Sequence, residues 1–295
     1  MTGDLVQPYD PSIPILFGFI CSIFSLIGSL FTIAVYLFVP STRKNFFFFL
    51  AFHLAISDFC ISITGLTLKD PTQLPEGVCT AFATVRGFSF ISSCIINLVI
   101  ALFIYKRIQT DSSSQGHEKQ KVTFFYTNYL FSLFGSIGPL VSGSYGPSSI
   151  YCWINPGSKT YLATFWMICE AYIALPLFLI WVILLYTWII RQLKGMVSQE
   201  RRRDVNKLAV VPLLFVIINV ITLIDILNDS VFGRHLTIKL IHTCLRQMQG
   251  FFHALVYAFG IVRDEILNKV YERKSHSPAE RLYKNSEYSA DNNDL

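Results

Sequence analysis

The sequence predicts an all-α membrane protein, in which a bundle of seven transmembrane helices is followed by a short amphipathic C-terminal helix. Hydrophobic residues make up 53% of the 295 positions and charged residues only 15%, whereas about a quarter of a soluble domain is charged. Charge-free stretches of about 20 residues, the length a helix needs to cross a bilayer, alternate with short charged segments. We therefore predict one transmembrane domain, residues 14–262, with short loops.

The seven predicted spans are separated by short segments rich in charged residues or in turn-forming Gly, Pro and Ser. They are 14–39, 45–68, 79–107, 122–141, 161–190, 208–227 and 239–262. The fourth and fifth spans are joined by a Gly-, Pro- and Ser-rich segment, 142–160, which we predict to be a loop. No fixed-period repeat or second folded domain is visible.

The third span is uncharged from Gly87 to Tyr105, yet it is less apolar than the other spans. It contains small and polar residues, namely Gly87, Ser89, Ser92, Ser93, Cys94 and Asn97. Such residues let helices pack closely in lipid and form interhelical hydrogen bonds. We predict that this span lies at the centre of the bundle. Its polar residues either hold helices together or serve function.

The two ends of the chain differ in character. Segment 1–13 carries two Asp and no Lys or Arg, which is unlike a signal peptide, and we predict an extracellular N-terminus. Segment 263–274 has Ile266, Leu267, Val270 and Tyr271 on one stripe, which predicts an amphipathic helix on the cytoplasmic side. The polar remainder, 275–295, is predicted to be a disordered cytoplasmic tail.

Most of the 24 Lys and Arg residues lie in the loops after spans one, three and five and in the C-terminal segment. Cytoplasmic loops carry this excess in membrane proteins, so the rule predicts an outer N-terminus and a cytoplasmic tail. Topology therefore explains the basic loops, and nucleic acid is not an expected partner. We expect a multi-pass protein of the plasma membrane.

That orientation separates the seven cysteines into two groups. Five fall within spans, where a lone Cys is usually a small buried hydrophobe. Cys79 and Cys152 fall at outer boundaries, on the oxidising side where disulfides persist. They are the only plausible partners, although sequence alone does not prove the bond, and a disulfide would tether the second outer loop to the third span.

Several short motifs add to this layout. Cys152-Trp153-Ile154 lies in the second outer loop, and span seven contains Ile241-His242-Thr243, Gln249-Gly250-Phe251-Phe252 and Tyr257-Ala258-Phe259. With Glu265 opening the final helix, this pattern resembles the cyclic-AMP-receptor-like family of G-protein-coupled receptors, relatives of the secretin/adhesion branch. The inner end of span three, Ile104-Tyr105-Lys106-Arg107, differs from the Asp-Arg-Tyr of the rhodopsin-like family. The layout is similar over residues 14–274.

The resemblance implies a cell-surface receptor that binds a small extracellular ligand and activates a heterotrimeric G protein. It also implies coupling through basic residues at the cytoplasmic helix ends. These are Lys106, Arg107, Arg201, Arg202 and Arg203. The triplet 201–203 is equally well explained as an orientation signal.

Ionisable residues inside spans are costly in lipid, so each is a functional hypothesis. The ionisable residues placed in the outer half of the bundle, together with the side-chain amide of a neighbouring Gln, indicate a pocket for an anionic ligand. They are Arg86, Glu170, Asp225, His242, Arg246 and Gln249. Mutual neutralisation by ion pairs is the alternative. His53, Asp58 and Asn97 lie deeper, and we assign them to an internal polar network or ion site.

Other functional classes fit less well. The sequence shows no catalytic or cofactor motif, so we expect neither an enzyme nor a bound cofactor. No Lys lies deep enough in span seven for a retinal Schiff base. His242 and His253 are about 16 Å apart along a helix, too far to share one metal ion. A seven-span transporter or channel-like protein stays open, because Pro139, Pro176 and Pro212 are able to break helices.

Overall fold

The computed structural model describes residues 12–44, 46–66, 73–109, 117–148, 151–155, 161–195, 199–231 and 236–259. In these ranges the chain is almost entirely helical. The helices are α1 Ser12–Phe38, α2 Pro40–Lys44, α3 Phe46–Leu66, α4 Glu76–Gln109, α5 His117–Val141, α6 Tyr161–Met167, α7 Leu175–Gly195, α8 Gln199–Val231, α9 Leu236–Gln247 and α10 Gln249–Ala254. The predicted N-terminal segment up to residue 11, the amphipathic helix 263–274 and the tail 275–295 lie outside the described residues.

Five helical segments in the described ranges are long and apolar enough to cross a membrane. They are Ser12–Phe38, Phe46–Leu66, Glu76–Gln109, Tyr161–Leu193 and Ala209–Asn228. Many large apolar side chains point outward, among them Phe38 at 81% and Phe134 at 77% exposure, as expected of a surface solvated by lipid. The chain is therefore a multi-pass, all-α membrane protein.

The predicted fourth and seventh spans are helical in the described residues, but they are not among the five segments that are long and apolar enough to cross a membrane. Helix α5 buries polar side chains, including Asn128, Ser132 and Ser136, which lowers its hydropathy. The seventh is interrupted at Met248, whose backbone (φ −84°, ψ 1°) departs from the helical values. As a result α9 and α10 are separate short helices, and a π-helical turn, Leu255–Phe259, follows them.

Helix α4 occupies the centre of the described structure, as its composition predicted. It contacts α3, α5, α7 and α8 as well as the two short strands that follow α5. Ser89, Ser92, Ser93, Cys94 and Asn97 are all at most 2% exposed. The small side chains thus allow neighbouring helices to approach closely on several sides.

The predicted loop between spans four and five contains two short antiparallel strands, β1 Tyr145–Ser148 and β2 Tyr151–Ile154. The loop predicted between these spans therefore has regular structure in its described residues. Gly143 lies just before the hairpin with φ 63°, a left-handed conformation that favours glycine, and it turns the chain from the end of α5. The aromatic residues of the two strands suit a half-buried sheet surface.

A disulfide between Cys79 and Cys152 fixes the hairpin to the first turn of α4, which confirms the predicted pairing. Beneath it, the Tyr145 hydroxyl donates a hydrogen bond to the Ser136 carbonyl oxygen of α5 at 3.2 Å. Burial raises the pKa of that hydroxyl well above its ordinary value. The hairpin is therefore held against both α4 and α5 at the disulfide-bearing end.

The helices show two local features, a π-helical segment between α6 and α7 and a close approach of α10 to α1. A π-helical segment, Ile168–Ala174, separates α6 from α7 just before Pro176, and proline has no N–H for the bond that would close a regular turn. Helix α10 approaches α1 so closely that the Gly250 N–H donates to Ser25 Oγ at 3.0 Å. A Cβ at residue 250 would lie 2.6 Å from that oxygen, so the approach requires glycine.

Candidate functional site

Arg86 lies on α4 about two helical turns below the disulfide cysteine Cys79. Its side chain is buried, and its guanidinium carbon lies 4.2 Å from the centre of the Tyr151 ring on β2. This is a cation–π contact. Among the described residues, Arg86 has no hydrogen-bond acceptor and no carboxylate partner.

Arg246 lies on α9 and is also buried. Its Nη1 donates to Asn219 Oδ1 of α8 at 3.0 Å, and its guanidinium lies 4.4 Å from the centre of the Phe90 ring. No carboxylate of a described residue lies within ion-pairing distance of it. Arg246 is thus positioned by a neutral amide and an aromatic ring.

Both guanidinium groups line a cavity of about 40 Å³. The hairpin contributes Tyr151 and Trp153 to its walls, and α4, α7, α8 and α9 contribute most of the rest. The complete lining is Arg86, Phe90, Tyr151, Trp153, Ala171, Leu175, Thr222, Ile226, His242 and Arg246. The structure therefore brings together three residues that the sequence assigned to a ligand pocket, Arg86, His242 and Arg246.

Asp225, a fourth residue of the predicted pocket, is engaged in a buried cluster beside the cavity. Its Oδ2 accepts from Lys239 Nζ at 3.1 Å and lies 2.6 Å from His242 Nδ1. All three side chains are at most 6% exposed. The aspartate joins α8 to α9 and leaves Arg246 without a carboxylate from α8.

The last two residues of the predicted pocket, Glu170 and Gln249, do not line the cavity. Glu170 is in the π-helical segment, is buried, and has no hydrogen bond from any described residue to either carboxyl oxygen. Gln249 follows the Met248 interruption and donates to Ser93 Oγ of α4 at 3.0 Å. The stripe His242, Arg246, Gln249 is buried as predicted, but only its first two members face the cavity.

The residues predicted to form an internal polar network are buried, but they belong to separate hydrogen-bonded groups. Asp58 Oδ2 lies 2.6 Å from Nδ1 of His253. His53 Nδ1 lies 2.6 Å from the Tyr129 hydroxyl. Asn97 donates to the backbone carbonyl of Ser93, one turn earlier in α4, at 2.9 Å.

Further contacts tie these groups to α1, α3 and α4. Ser62 on α3 donates to the Asp58 carbonyl oxygen at 2.7 Å, and its Oγ lies 2.8 Å from Ser25 Oγ of α1, within hydrogen-bonding distance. Ser57 donates to Ser92 at 3.1 Å. In the described part of the chain, no three His, Cys, Asp or Glu side chains form a group suited to a metal ion.

Some of these partners were not assigned a role from the sequence. His253 carried a signal, since it lies one turn after Gln249 on the same polar stripe of the last span. Tyr151, Trp153 and Phe90 carried none, because aromatic residues are common throughout a chain with 15% Phe, Trp and Tyr. Only their position against the two arginines distinguishes them.

The predicted coupling residues lie at helix ends. Lys106 and Arg107 are exposed in the last turn of α4. Residues 201–203 belong to the beginning of α8, and their side chains lie outside the described part of the structure. The side-chain geometry therefore does not test the predicted role of residues 201–203 in G-protein coupling.

No family model matches this chain, and no curated protein sequence matches it. Three structural features bear on function: the cavity lined by Arg86 and Arg246, the disulfide-tethered hairpin, and the long apolar helices.

Proposed function

We propose that this protein is a seven-transmembrane receptor of the cell surface, which binds a small anionic extracellular ligand and activates a heterotrimeric G protein. One observation carries the proposal: two buried guanidinium groups, Arg86 and Arg246, line one cavity, and neither has a carboxylate partner among the described residues. The cavity lies beside a disulfide-tethered hairpin, the feature expected on the extracellular side.

The energetics favour an anion in this cavity. A charged side chain within a membrane span costs several kcal/mol unless it is paired or reaches water. Charge-assisted hydrogen bonds from guanidinium groups to a carboxylate or phosphate are strong and directional. The Tyr151 and Phe90 rings and the Asn219 amide hold the two guanidiniums in place, which reduces the entropy lost when a ligand binds.

Seven spans are supported by helix lengths. Helix α5 has 25 residues, which corresponds to about 37 Å, and this exceeds the roughly 30 Å hydrocarbon thickness. The segment from Leu236 to Phe259 spans a similar length despite its interruption. Polar groups freed at such a break are tolerated where they are buried in protein, and α9 and α10 bury Thr243, Gln247 and Gln249.

Signalling requires that the ligand bind two arrangements of the bundle with different affinity. The proposed ligand would contact α4 through Arg86 and α9 through Arg246, and Arg246 is linked to α8 through Asn219. An anion drawing the two guanidiniums together would shift these helices relative to one another. Their cytoplasmic ends, with Lys106, Arg107 and the 201–203 triplet, would then present a changed surface to the G protein.

The test is nucleotide exchange on G proteins co-expressed with the full chain, using a panel of small carboxylates and organic phosphates as probes. We expect at least one anion to accelerate exchange, and Arg246→Gln to abolish the response at unchanged surface level. Arg191→Gln, which neutralises an exposed Arg outside the cavity, is the matched control and should respond normally. An equal response from Arg246→Gln would contradict the assigned site.

A transporter is the second candidate, and the interruption at Met248 favours it. Discontinuous helices that surround a buried polar site are a recurring feature of transporters. The two proposals differ in a measurement on reconstituted vesicles. Flux of a labelled anion that depends on Arg86 and Arg246, without nucleotide exchange, would favour the transporter.

A further inference from the structure

We infer that Arg86 and Arg246 together hold one halide-sized inorganic anion, such as chloride, in the cavity that both side chains line. The inference deepens the proposed function, because it uses the same two guanidiniums, but it does not depend on G-protein coupling. It names the species that occupies this site before any organic ligand binds.

The size of the cavity limits its occupant. A volume of about 40 Å³ compares with the roughly 10–15 Å³ that accommodates one water, so the space suits a few atoms at most. Tyr151 and Trp153 of the hairpin form part of the cavity wall.

The chemistry of the lining favours an anion over water. A guanidinium carries five N–H donors; Arg86 donates none to a described residue, and Arg246 donates one to Asn219. Buried water needs acceptors as well as donors to make its two to four hydrogen bonds, whereas a halide accepts only.

The neighbouring charges leave the cavity positive. Asp225 is shared between Lys239 and His242, and Glu170 does not line the cavity. The remaining lining groups include the apolar side chains of Phe90, Leu175 and Ile226. One monovalent anion between the two guanidiniums would reduce the repulsion between like charges in a medium of low dielectric constant.

The test measures thermal unfolding of the purified full-length protein at constant ionic strength, with chloride, bromide or the much larger gluconate as the anion. We expect chloride and bromide to raise Tm above the gluconate value by about 3 °C in a saturable way. Arg86→Gln should remove this difference, and Arg191→Gln should keep it. If Arg86→Gln does not fold, Arg86→Lys should keep the difference but require more halide for half of the effect.

Equal Tm values in chloride and gluconate for the unmodified protein would overturn the inference, as would a halide effect that persists in a folded Arg86→Gln variant. The two proposals fail separately. Exchange driven by an organic anion without a halide effect would refute the halide site alone. A halide effect without nucleotide exchange under any anion would refute the receptor and retain the site.

Discussion

Asp58 and His253 show how a deeply buried polar side chain in this bundle is satisfied from a distant helix. The two residues are 1% and 3% exposed, and their side chains meet at 2.6 Å. Asp58 Oδ1 and His253 Nε2 have no hydrogen-bond partner in the described structure. Each side chain therefore depends on this one contact with the other.

We predict that His253→Leu lowers the free energy of unfolding by about 3–5 kcal/mol, because the Asp58 carboxyl loses its only side-chain partner among the described residues. Adding Asp58→Asn should recover part of the loss, since a neutral amide costs less to bury than a carboxylate. Thermal unfolding of the purified variants measures both effects.

His53→Leu is the matched comparison, since it removes a histidine bonded to a neutral hydroxyl, Tyr129. We expect this change to cost about 1 kcal/mol. If His253→Leu costs no more than His53→Leu, or if the second substitution gives no recovery, the Asp58–His253 contact does not carry the stability assigned to it.

For single residues, the sequence predicted that the charged residues of the proposed pocket are buried, but it did not predict the burial of Lys239 or all of the partners. His242 and Arg246 lie one turn apart, a local relation that the helical repeat determines. Pairing across helices depends on how each helix is rotated and shifted, which no local pattern encodes. For this reason Asp225 bonds Lys239 and His242 rather than Arg246, and Asp58 bonds His253 rather than His53.

Among the elements, the disulfide-tethered hairpin adds most to the sequence-based prediction, which described this segment only as a loop. The Pro147 and Gly146 positions are typical of turns, yet they pair with Cys152 and Trp153 of β2. The disulfide and the packing against α4 hold this short sheet in place, and an isolated two-stranded hairpin is only marginally stable. The tether to α4 was predictable from the two outer cysteines, whereas the strand register was not.

We predict that Cys152→Ala lowers the free energy of unfolding by about 2–5 kcal/mol and reduces surface expression, because it opens a covalent loop of 73 residues in sequence separation. It should also weaken the response to anionic agonists, since Tyr151 and Trp153 line the cavity. Thermal unfolding and surface labelling measure the first two effects, and nucleotide exchange measures the third.

Cys60→Ala removes a cysteine that forms no disulfide and is the matched control for loss of a thiol. It should change none of the three measurements by a comparable amount. Peptide mapping without reduction checks the bond itself. Free thiols at both Cys79 and Cys152 in the folded protein would contradict this part of the structure.

The interruption of the last span is a second element-scale difference. The sequence 239–262 has no proline, so it predicted one continuous helix. The structure instead places a turn at Met248 and brings Gly250 against Ser25 and Asp58. The contact of Gly250 with α1, and not local helix propensity, determines where this helix is interrupted. In the sequence, the glycine at position 250 is the one sign of this interruption.

For the whole molecule, the distribution of charge carries most of the predicted topology. The apolar spans confirm a multi-pass membrane protein, and basic residues are concentrated at one set of helix ends. Arg86 and Arg246, which the sequence analysis assigns to the outer half of the bundle, are exceptions to this distribution, and both line one cavity. Orientation in the membrane stays a prediction based on the positive-inside rule.

The triplet Arg201-Arg202-Arg203 at the start of α8 tests this arrangement, because it has two proposed roles. As a coupling surface it would contact the G protein, and as an orientation signal it would interact with anionic lipid at about 1 kcal/mol per residue. We predict that replacing all three with Gln weakens agonist-stimulated nucleotide exchange at least tenfold, about 1.4 kcal/mol in free energy, at unchanged agonist affinity. The agonist cavity and the triplet lie in opposite halves of the predicted topology.

Two controls separate the roles. An antibody tag at the N-terminus, detected on intact cells, reports whether the triple variant keeps its orientation. Lys119→Gln with Arg191→Gln neutralises exposed basic residues of α5 and α7 and should preserve exchange. Full exchange by a correctly oriented triple variant would assign the triplet to membrane orientation alone, whereas lost exchange at normal orientation and affinity would place the coupling surface at the start of α8.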